Sequence, residues 1–337
     1  MKHTNNFDAL RLGAALAVVT SHQFWLVQAW QPRPFGPMAL GSVAILVFFT
    51  ISGFFAAASW EADPKAWRFA ARRLLRIWPA YAVAVIGSAL YIGFTDARPL
   101  AQTAAWMFVY KHGLFLPFDW DFFPDLADGR LNPPLWTIGF GVGCSAMFAG
   151  AALVFRRHWP LALVAALAWA LVAHGIGTRV VDPSSMHAPG NWLNFGAYFA
   201  LGALASRYPV LQSARGCLAA LVLGGLAYAG GWQMVGLALA IPALTVFVGT
   251  RSWPVLRRAG RFGQISYGIY LWGWPVQWAV GSVMGATAGF CALAAVALPV
   301  LLLLAFASWF LIERPALAAK PSRSTVWPKW ATLELDR

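Results

Sequence analysis

The chain has 337 residues, of which 60% are hydrophobic, only 11% are charged and 19 are tryptophan. Soluble domains average about 25% charged residues, so the composition excludes a soluble globular protein and predicts an integral membrane protein. We expect the formal net charge of +13 to reflect membrane topology, and we expect no nucleic-acid partner.

A membrane crossing needs about 20 apolar residues, and the sequence contains ten candidate runs. The predicted helices lie near residues 8–30, 40–59, 77–95, 134–155, 159–177, 192–206, 216–231, 233–249, 264–283 and 286–311. No repeat of about 20–50 residues is visible, and no other segment is long enough for a second domain. We therefore predict an all-α fold, with about ten transmembrane helices in residues 1–313 and a short cytoplasmic tail in residues 314–337.

The basic residues predict the orientation of this bundle. With a cytoplasmic N-terminus, only five of the 25 Lys and Arg residues face outwards, namely Arg33, Arg98, Lys111, Arg130 and Arg179. The positive-inside rule favours this arrangement. We expect both termini to be cytoplasmic, the protein to lie in the cell (inner) membrane, and residues 96–133 to form an outer loop over the bundle.

His22 is the one titratable side chain between Arg11 and Trp30. It follows Arg11 by eleven positions, which places it about 16 Å further along the helix and near the same face. With Arg11 at the inner interface, His22 lies near the middle of the membrane, where ionisable groups are costly and often functional. The alternative is a histidine that packs by donating a hydrogen bond to a neighbouring helix.

Six segments, in chain order, carry short motifs. They are FDALRLGAALAVVTSH from residue 7, ILVFFTISGFF from 45, RRLLRIWPAY from 72, PPLWTIG at 133–139, SYGIYLWGWP at 266–275 and FLIERP at 310–315. Together they cover nearly the whole chain and resemble the integral-membrane acyltransferase 3 family, whose members O-acylate sugars of surface and exported polysaccharides. Two positions depart from the family pattern: Gly141 stands where a glutamate is usual after PLW, and Gly273 where YLWHWP has histidine.

The resemblance implies acyl-CoA, with acetyl-CoA expected, as the donor substrate, and a polysaccharide or lipid-linked glycan in the lipid bilayer as the acceptor. Such a transfer needs a general base for the sugar hydroxyl, and His22 is the candidate for this role. An acyl-histidine intermediate is the alternative for the same residue.

Basic residues at the inner end of the third helix suit the phosphates of CoA. Arg73 and Arg76 share a helix face at i, i+3, Arg72 is adjacent, and Arg11 lies on the face that leads to His22. Guanidinium groups fit phosphate oxygens well. We predict that all four bind the donor, although topology or anionic lipid also explains a basic cytoplasmic rim.

Four further residues are predicted to contact the substrate. Ser52 would line the cavity and Trp136 would stack on a sugar ring, while Tyr267 and Tyr270 share a helix face and would donate hydrogen bonds. Each has a structural alternative, because Ser-Gly pairs pack helices closely, tryptophans form interfacial belts and tyrosines fill cores.

The three cysteines lie in apolar runs without a CxxC pair, so we expect no disulfide framework, no metal site and no permanently bound cofactor. Two other functions stay open at this point. A proton-coupled transporter or flippase would also use a buried histidine, although matching halves with broken helices are not visible. A non-catalytic homologue that binds an acyl donor or a glycan is favoured by Gly141 and Gly273.

Overall fold

The computed structural model describes residues 5–36, 38–95, 99–113, 131–176, 190–285 and 288–321. In these ranges the chain forms helices and no strands, so the all-α prediction is confirmed. The helices are α1 (Phe7–Leu26), α2 (Leu40–Ala62), α3 (Ala66–Thr95), α4 (Pro99–Gly113), α5 (Trp136–Phe155), α6 (Trp159–Ile176), α7 (Gly190–Arg207), α8 (Ala214–Ala229), α9 (Gln233–Thr250), α10 (Ser266–Met284), α11 (Phe290–Ser308) and α12 (Arg314–Ala318). A π-helical turn, Trp309–Glu313, joins α11 to α12.

Five helical segments are long and apolar enough to cross a membrane, which supports a membrane protein. They are Leu40–Ala62, Ala66–Tyr91, Pro133–Trp169, Gln233–Thr250 and Phe290–Ala318. The count of about ten crossings stays a prediction. So does the division into a transmembrane domain and a tail, whose residues beyond 321 lie outside the described ranges.

The structure differs from the prediction around α3. This helix begins at Ala66, eleven residues before the predicted start at 77, because helical backbone continues through the arginine-rich segment that hydropathy excludes. Part of the predicted outer loop is also helical: α4 has 15 residues and packs against α3, where His112 contacts Tyr81 through a hydrogen bond. A helix shorter than a membrane crossing gives a weak hydropathy signal.

Helices α2 and α7 cross in close contact at two glycines. A Cβ atom on Gly53 would lie 1.9 Å from the carbonyl oxygen of Phe199, and one on Gly202 would lie 2.1 Å from that of Thr50. Small residues allow membrane helices to approach each other in this way. The Gly53 half of the Ser-Gly pair therefore packs the helices, and Ser52 is left to face elsewhere.

Helices α1 and α10 run side by side in the same direction. Nε2 of Gln277 donates to the carbonyl oxygen of Val19 at 3.0 Å and to Oε1 of Gln23 at 2.8 Å. A Cβ atom on Gly273 would lie 2.6 Å from Cγ2 of Val19. Position 273 is therefore a helix contact, and the residue there does not face an open site.

Candidate active site

A cavity of about 970 Å³ opens at the end of the bundle where α1 begins and where α2 and α11 end. Six basic side chains line it, and we call it the basic cavity. These are Arg11, Arg73, Arg76, Arg261, Arg314 and Lys320. Among the described residues that line the cavity, Asp8 is the one carboxylate. The cavity therefore carries a positive potential that suits an anionic ligand.

Six of the nine predicted site residues meet in the basic cavity. They are Arg11, Ser52, Arg73, Arg76, Tyr267 and Tyr270. They come from α1, α2, α3 and α10, which are far apart in the sequence, so the bundle brings them together. Arg73 and Arg76 face the same cavity because they are one helical turn apart on α3.

One arginine of the cavity, Arg73, is held by neutral groups. Arg73 is donor to the carbonyl oxygen of Ser52 at 2.8 Å and lies over the ring of Phe69, at 5.5 Å from its centroid. In the described part of the chain Arg73 has no carboxylate partner. A guanidinium in this position keeps its capacity to bind phosphate or carboxylate oxygens.

Arg76 and Arg11 have partners that fix their direction. Arg76 donates to Oε1 of Gln264 at 2.6 Å, and Glu313 lies close enough for the two charges to interact. Arg11 pairs with Asp8 at 3.3 Å. These contacts orient the two guanidinium groups at the edge of the cavity. Within the described ranges, His, Cys, Asp and Glu residues form no group that could hold a metal ion.

Two tyrosines of α10 join the walls of the cavity to one another. The hydroxyl of Tyr270 donates to the carbonyl oxygen of Pro134 at 2.7 Å and contacts the hydroxyl of Thr137. The hydroxyl of Tyr267 donates to the carbonyl oxygen of Ile77 at 2.9 Å. Both tyrosines therefore line the cavity and also connect α10 to neighbouring segments. Their position is compatible with substrate contact and with a packing role at the same time.

Arg72 was predicted to bind the donor, but it does not line the basic cavity. Its Nη1 atom pairs with Oδ2 of Asp63 at 3.0 Å, and the two side chains are 7% and 1% exposed. Burial raises the pKa of Asp63, but hydrogen bonds from Arg72 and Arg68 outweigh this effect and hold the pKa below its ordinary value. One residue is a rotation of about 100° on a helix, which turns Arg72 away from the face of Arg73.

Trp136 was predicted to stack on a sugar, but it also lies outside the lining of the cavity. Its ring packs against Phe140 and Phe195, with centroids 5.4 Å and 5.6 Å apart. This aromatic cluster supports the α5 and α7 contact. The structure therefore favours the packing alternative for Trp136.

His22 lies beyond the basic cavity. Its ring packs edge-on against Trp274, with centroids 5.3 Å apart and an interplanar angle of 86°. Trp274 follows Tyr270, which lines the cavity, by one turn of α10, or about 6 Å. The Nδ1 atom of His22 is buried and has no hydrogen-bond partner among the described residues. It is thus available to a ligand that reaches this level.

Several residues that line the cavity were not predicted from the sequence. Arg261 and Gln264 come from the segment between α9 and α10, and Arg314 and Lys320 from the chain after α11. In the sequence alone, the basic run 251–261 indicates membrane topology and does not identify a ligand site. Gly141 also lines the cavity, and a Cβ atom there would meet no other atom within 4 Å. The cavity therefore has free space beside this position.

Fold and site together define a class: a membrane-embedded helical bundle with a basic cavity for an anionic ligand and a histidine close to its deep end. The family model described as an acyltransferase domain matches residues 4–314. The chain therefore belongs to this acyltransferase family, and the predicted resemblance and acyltransferase activity are confirmed.

Two relatives match over almost their whole lengths. The "O-acetyl transferase" of Shigella phage Sf6 is 26% identical over 326 residues, covering 93% of this chain and 96% of the relative. "Nodulation protein 10" of Rhizobium leguminosarum bv. viciae is 26% identical over 371 residues, covering 95% of each chain. No solved structure matches this chain significantly.

Proposed function

We propose that this acyltransferase moves an acyl group, in the first place acetyl, from acyl-CoA to a sugar hydroxyl of a surface or exported polysaccharide or a lipid-linked glycan. The observation that carries the proposal is Arg73, a partly buried arginine at the basic cavity with no carboxylate partner among the described residues. The relative named O-acetyl transferase supports an oxygen acceptor and an acetyl donor.

The basic cavity suits the two chemically different ends of acyl-CoA. The phosphates would contact Arg11, Arg73 and Arg76, whose guanidinium groups make charge-assisted hydrogen bonds to such oxygens. The thioester arm is less polar, and it would extend towards Phe48 and Tyr270, which pack edge-on with centroids 5.6 Å apart. This direction brings the thioester towards the level of His22.

His22 is the proposed general base at the meeting point of the two substrates. The sugar hydroxyl oxygen would attack the thioester carbonyl carbon while Nδ1 of His22 accepts the hydroxyl proton. The carbon–sulfur bond then breaks, and the CoA thiolate leaves with that proton as free CoA. The products are the sugar ester and CoA, and the histidine returns to its neutral form. Nδ1 of His22 has no hydrogen-bond partner among the described residues, so in that part of the chain no protein group competes for the proton that a general base accepts.

The proposed orientation places the basic cavity on the cytoplasmic side of the inner membrane, where acyl-CoA is available. The acceptor would then approach His22 from the other side. Membership of the acyltransferase family favours this function over the proton-coupled carrier. The non-catalytic alternative differs from it only in whether the acyl group is transferred.

One assay tests the proposal. Protein in lipid nanodiscs is incubated with [14C]acetyl-CoA and with glycans extracted from the membranes of the producing cells. We expect base-labile label on the glycan and a matching release of CoA. Binding of acetyl-CoA without label on the glycan would support a non-catalytic homologue, and the absence of acetyl-CoA binding would exclude the proposed donor.

A further inference from the structure

Three buried polar atoms belong to side chains at the contact between the second half of α1 and α10, beyond the basic cavity. They are Nδ1 of His22, Nε1 of Trp274 and Oε1 of Gln277, and none has a hydrogen-bond partner in the part of the chain that is described. Trp274 and Gln277 are only 3% and 1% exposed. Leaving such an atom without a partner is unfavourable relative to water, so three at one contact call for an explanation.

The side chains that carry these atoms are held in place by other contacts. Gln277 uses Nε2 to donate to the carbonyl oxygen of Val19 and to Gln23, so its Oε1 is left over. Gln23 in turn donates to the carbonyl oxygen of Phe290 at 2.6 Å. Trp274 is fixed between the rings of His22 and Trp25, with centroids at 5.3 Å and 5.2 Å.

Packing alone does not require these atom types. An aromatic side chain without an N–H group, such as phenylalanine or benzothienylalanine, would also pack at position 274. The three atoms comprise one donor, one acceptor and one histidine nitrogen, which is the combination that hydroxyl groups satisfy, since each hydroxyl both donates and accepts. Neighbouring hydroxyls of a sugar present several such groups together. His22 is partly exposed, so the bundle is open to a ligand at the histidine, and Trp274 and Gln277 lie directly behind it.

We infer that Trp274 and Gln277 form the acceptor subsite, in which the indole N–H and the amide oxygen bind hydroxyls of the sugar next to the one that His22 deprotonates. The inference rests on the proposed function for the identity of the acceptor. It assigns the two ends of the bundle to the two substrates, with the donor in the basic cavity and the glycan at the α1–α10 contact.

The test removes the indole N–H of Trp274 and keeps an aromatic six-membered ring at that position. In the nanodisc assay with extracted glycan and [14C]acetyl-CoA, Trp274→Phe should raise the apparent KM for the glycan by about two- to twelvefold, the effect of one neutral hydrogen bond. The apparent KM for acetyl-CoA should stay within twofold of the original value. Trp25→Phe is the matched control, because Trp25 packs on the same ring but is 43% exposed, and it should change neither constant.

An unchanged glycan KM for Trp274→Phe, or an equal rise for Trp25→Phe, would overturn the subsite. If Trp274→Phe does not accumulate, 3-benzothienylalanine at position 274 removes the N–H with almost no change of shape. Glycan binding without acetyl-CoA, measured by calorimetry, separates this inference from the proposed function. Weaker binding by the variant supports the subsite even if no label is transferred, whereas a wild-type protein that does not bind the glycan overturns it.

Discussion

The two ends of the bundle differ in the kind of contact that they offer to a ligand. The basic cavity has about 970 Å³ of space and six cations at its wall, whereas the α1–α10 contact presents three uncharged polar atoms among close-packed aromatic rings. Phosphates need fixed positive charge and room for water to leave, while a sugar needs few but well-placed hydrogen-bonding groups. In the proposed function one helix, α1, would serve both substrates, with Arg11 near its start and His22 near its end.

The most decisive test of this comparison determines on which side of the membrane each end of the bundle lies. In a Cys291→Ser background, Trp30→Cys and Val255→Cys place single reactive thiols at opposite ends, since Trp30 and Val255 are 78% and 79% exposed and Cys144 and Cys217 are buried. An impermeant maleimide should label Trp30→Cys in intact cells and Val255→Cys only after the cells are opened. The reverse pattern would place the donor cavity outside, where acyl-CoA is absent.

The next largest effect is expected at His22. His22→Gln keeps much of the volume and hydrogen bonding of the side chain but cannot accept a proton at neutral pH. Transfer of label should fall by about 100- to 10,000-fold, while acetyl-CoA binding stays within a fewfold of the original. His158→Gln is the control, because His158 is an exposed histidine that contacts Arg157, and we expect it to leave transfer unchanged. A His22→Gln protein with near-original transfer would make His22 structural.

The arginines should affect the donor alone. Arg73→Ala or Arg76→Ala removes a charge-assisted contact worth about 1.5–3 kcal/mol, which raises the apparent KM for acetyl-CoA by about 10- to 150-fold. Arg68→Ala is the matched control on the same helix, because Arg68 faces Asp63 at 3.4 Å. The loss should shrink with a dephosphorylated acetyl-CoA. If both donors are weakened equally, contact with lipid headgroups becomes the better explanation for Arg73 and Arg76.

The smallest predicted effect comes from reducing the size of the basic cavity. Gly141→Leu places a side chain into free space at the wall, and it should raise the apparent KM for acetyl-CoA by about fivefold, the lower end of an overpacking cost. The glycan KM should not change. Gly150→Leu is the control on α5, where an added Cβ atom also meets nothing within 4 Å but the position does not line the cavity. A rise in the glycan KM with Gly141→Leu would mean that the two ligands share the basic cavity.

Much of this site could be anticipated because helical periodicity fixes which residues share a face. Arg73 and Arg76 at i, i+3 indeed face one cavity, and Tyr267 and Tyr270 line it with them. Periodicity does not say which face meets which helix. Arg72 was therefore predicted to bind the donor together with Arg73 and Arg76. In the structure it pairs with Asp63, nine residues earlier, where the chain bends between α2 and α3.

The sequence by itself determined the membrane environment, most of the helices and the family, because apolar composition, run length and short motifs are local properties. Only the tertiary structure decided which residues meet. Gln277 reaches Gln23 across 254 positions, Gly273 fills the space beside Val19, and Trp274 packs on His22. These contacts depend on α1 and α10 lying side by side. That pairing results from packing over the whole bundle, so it leaves no signature in either segment alone.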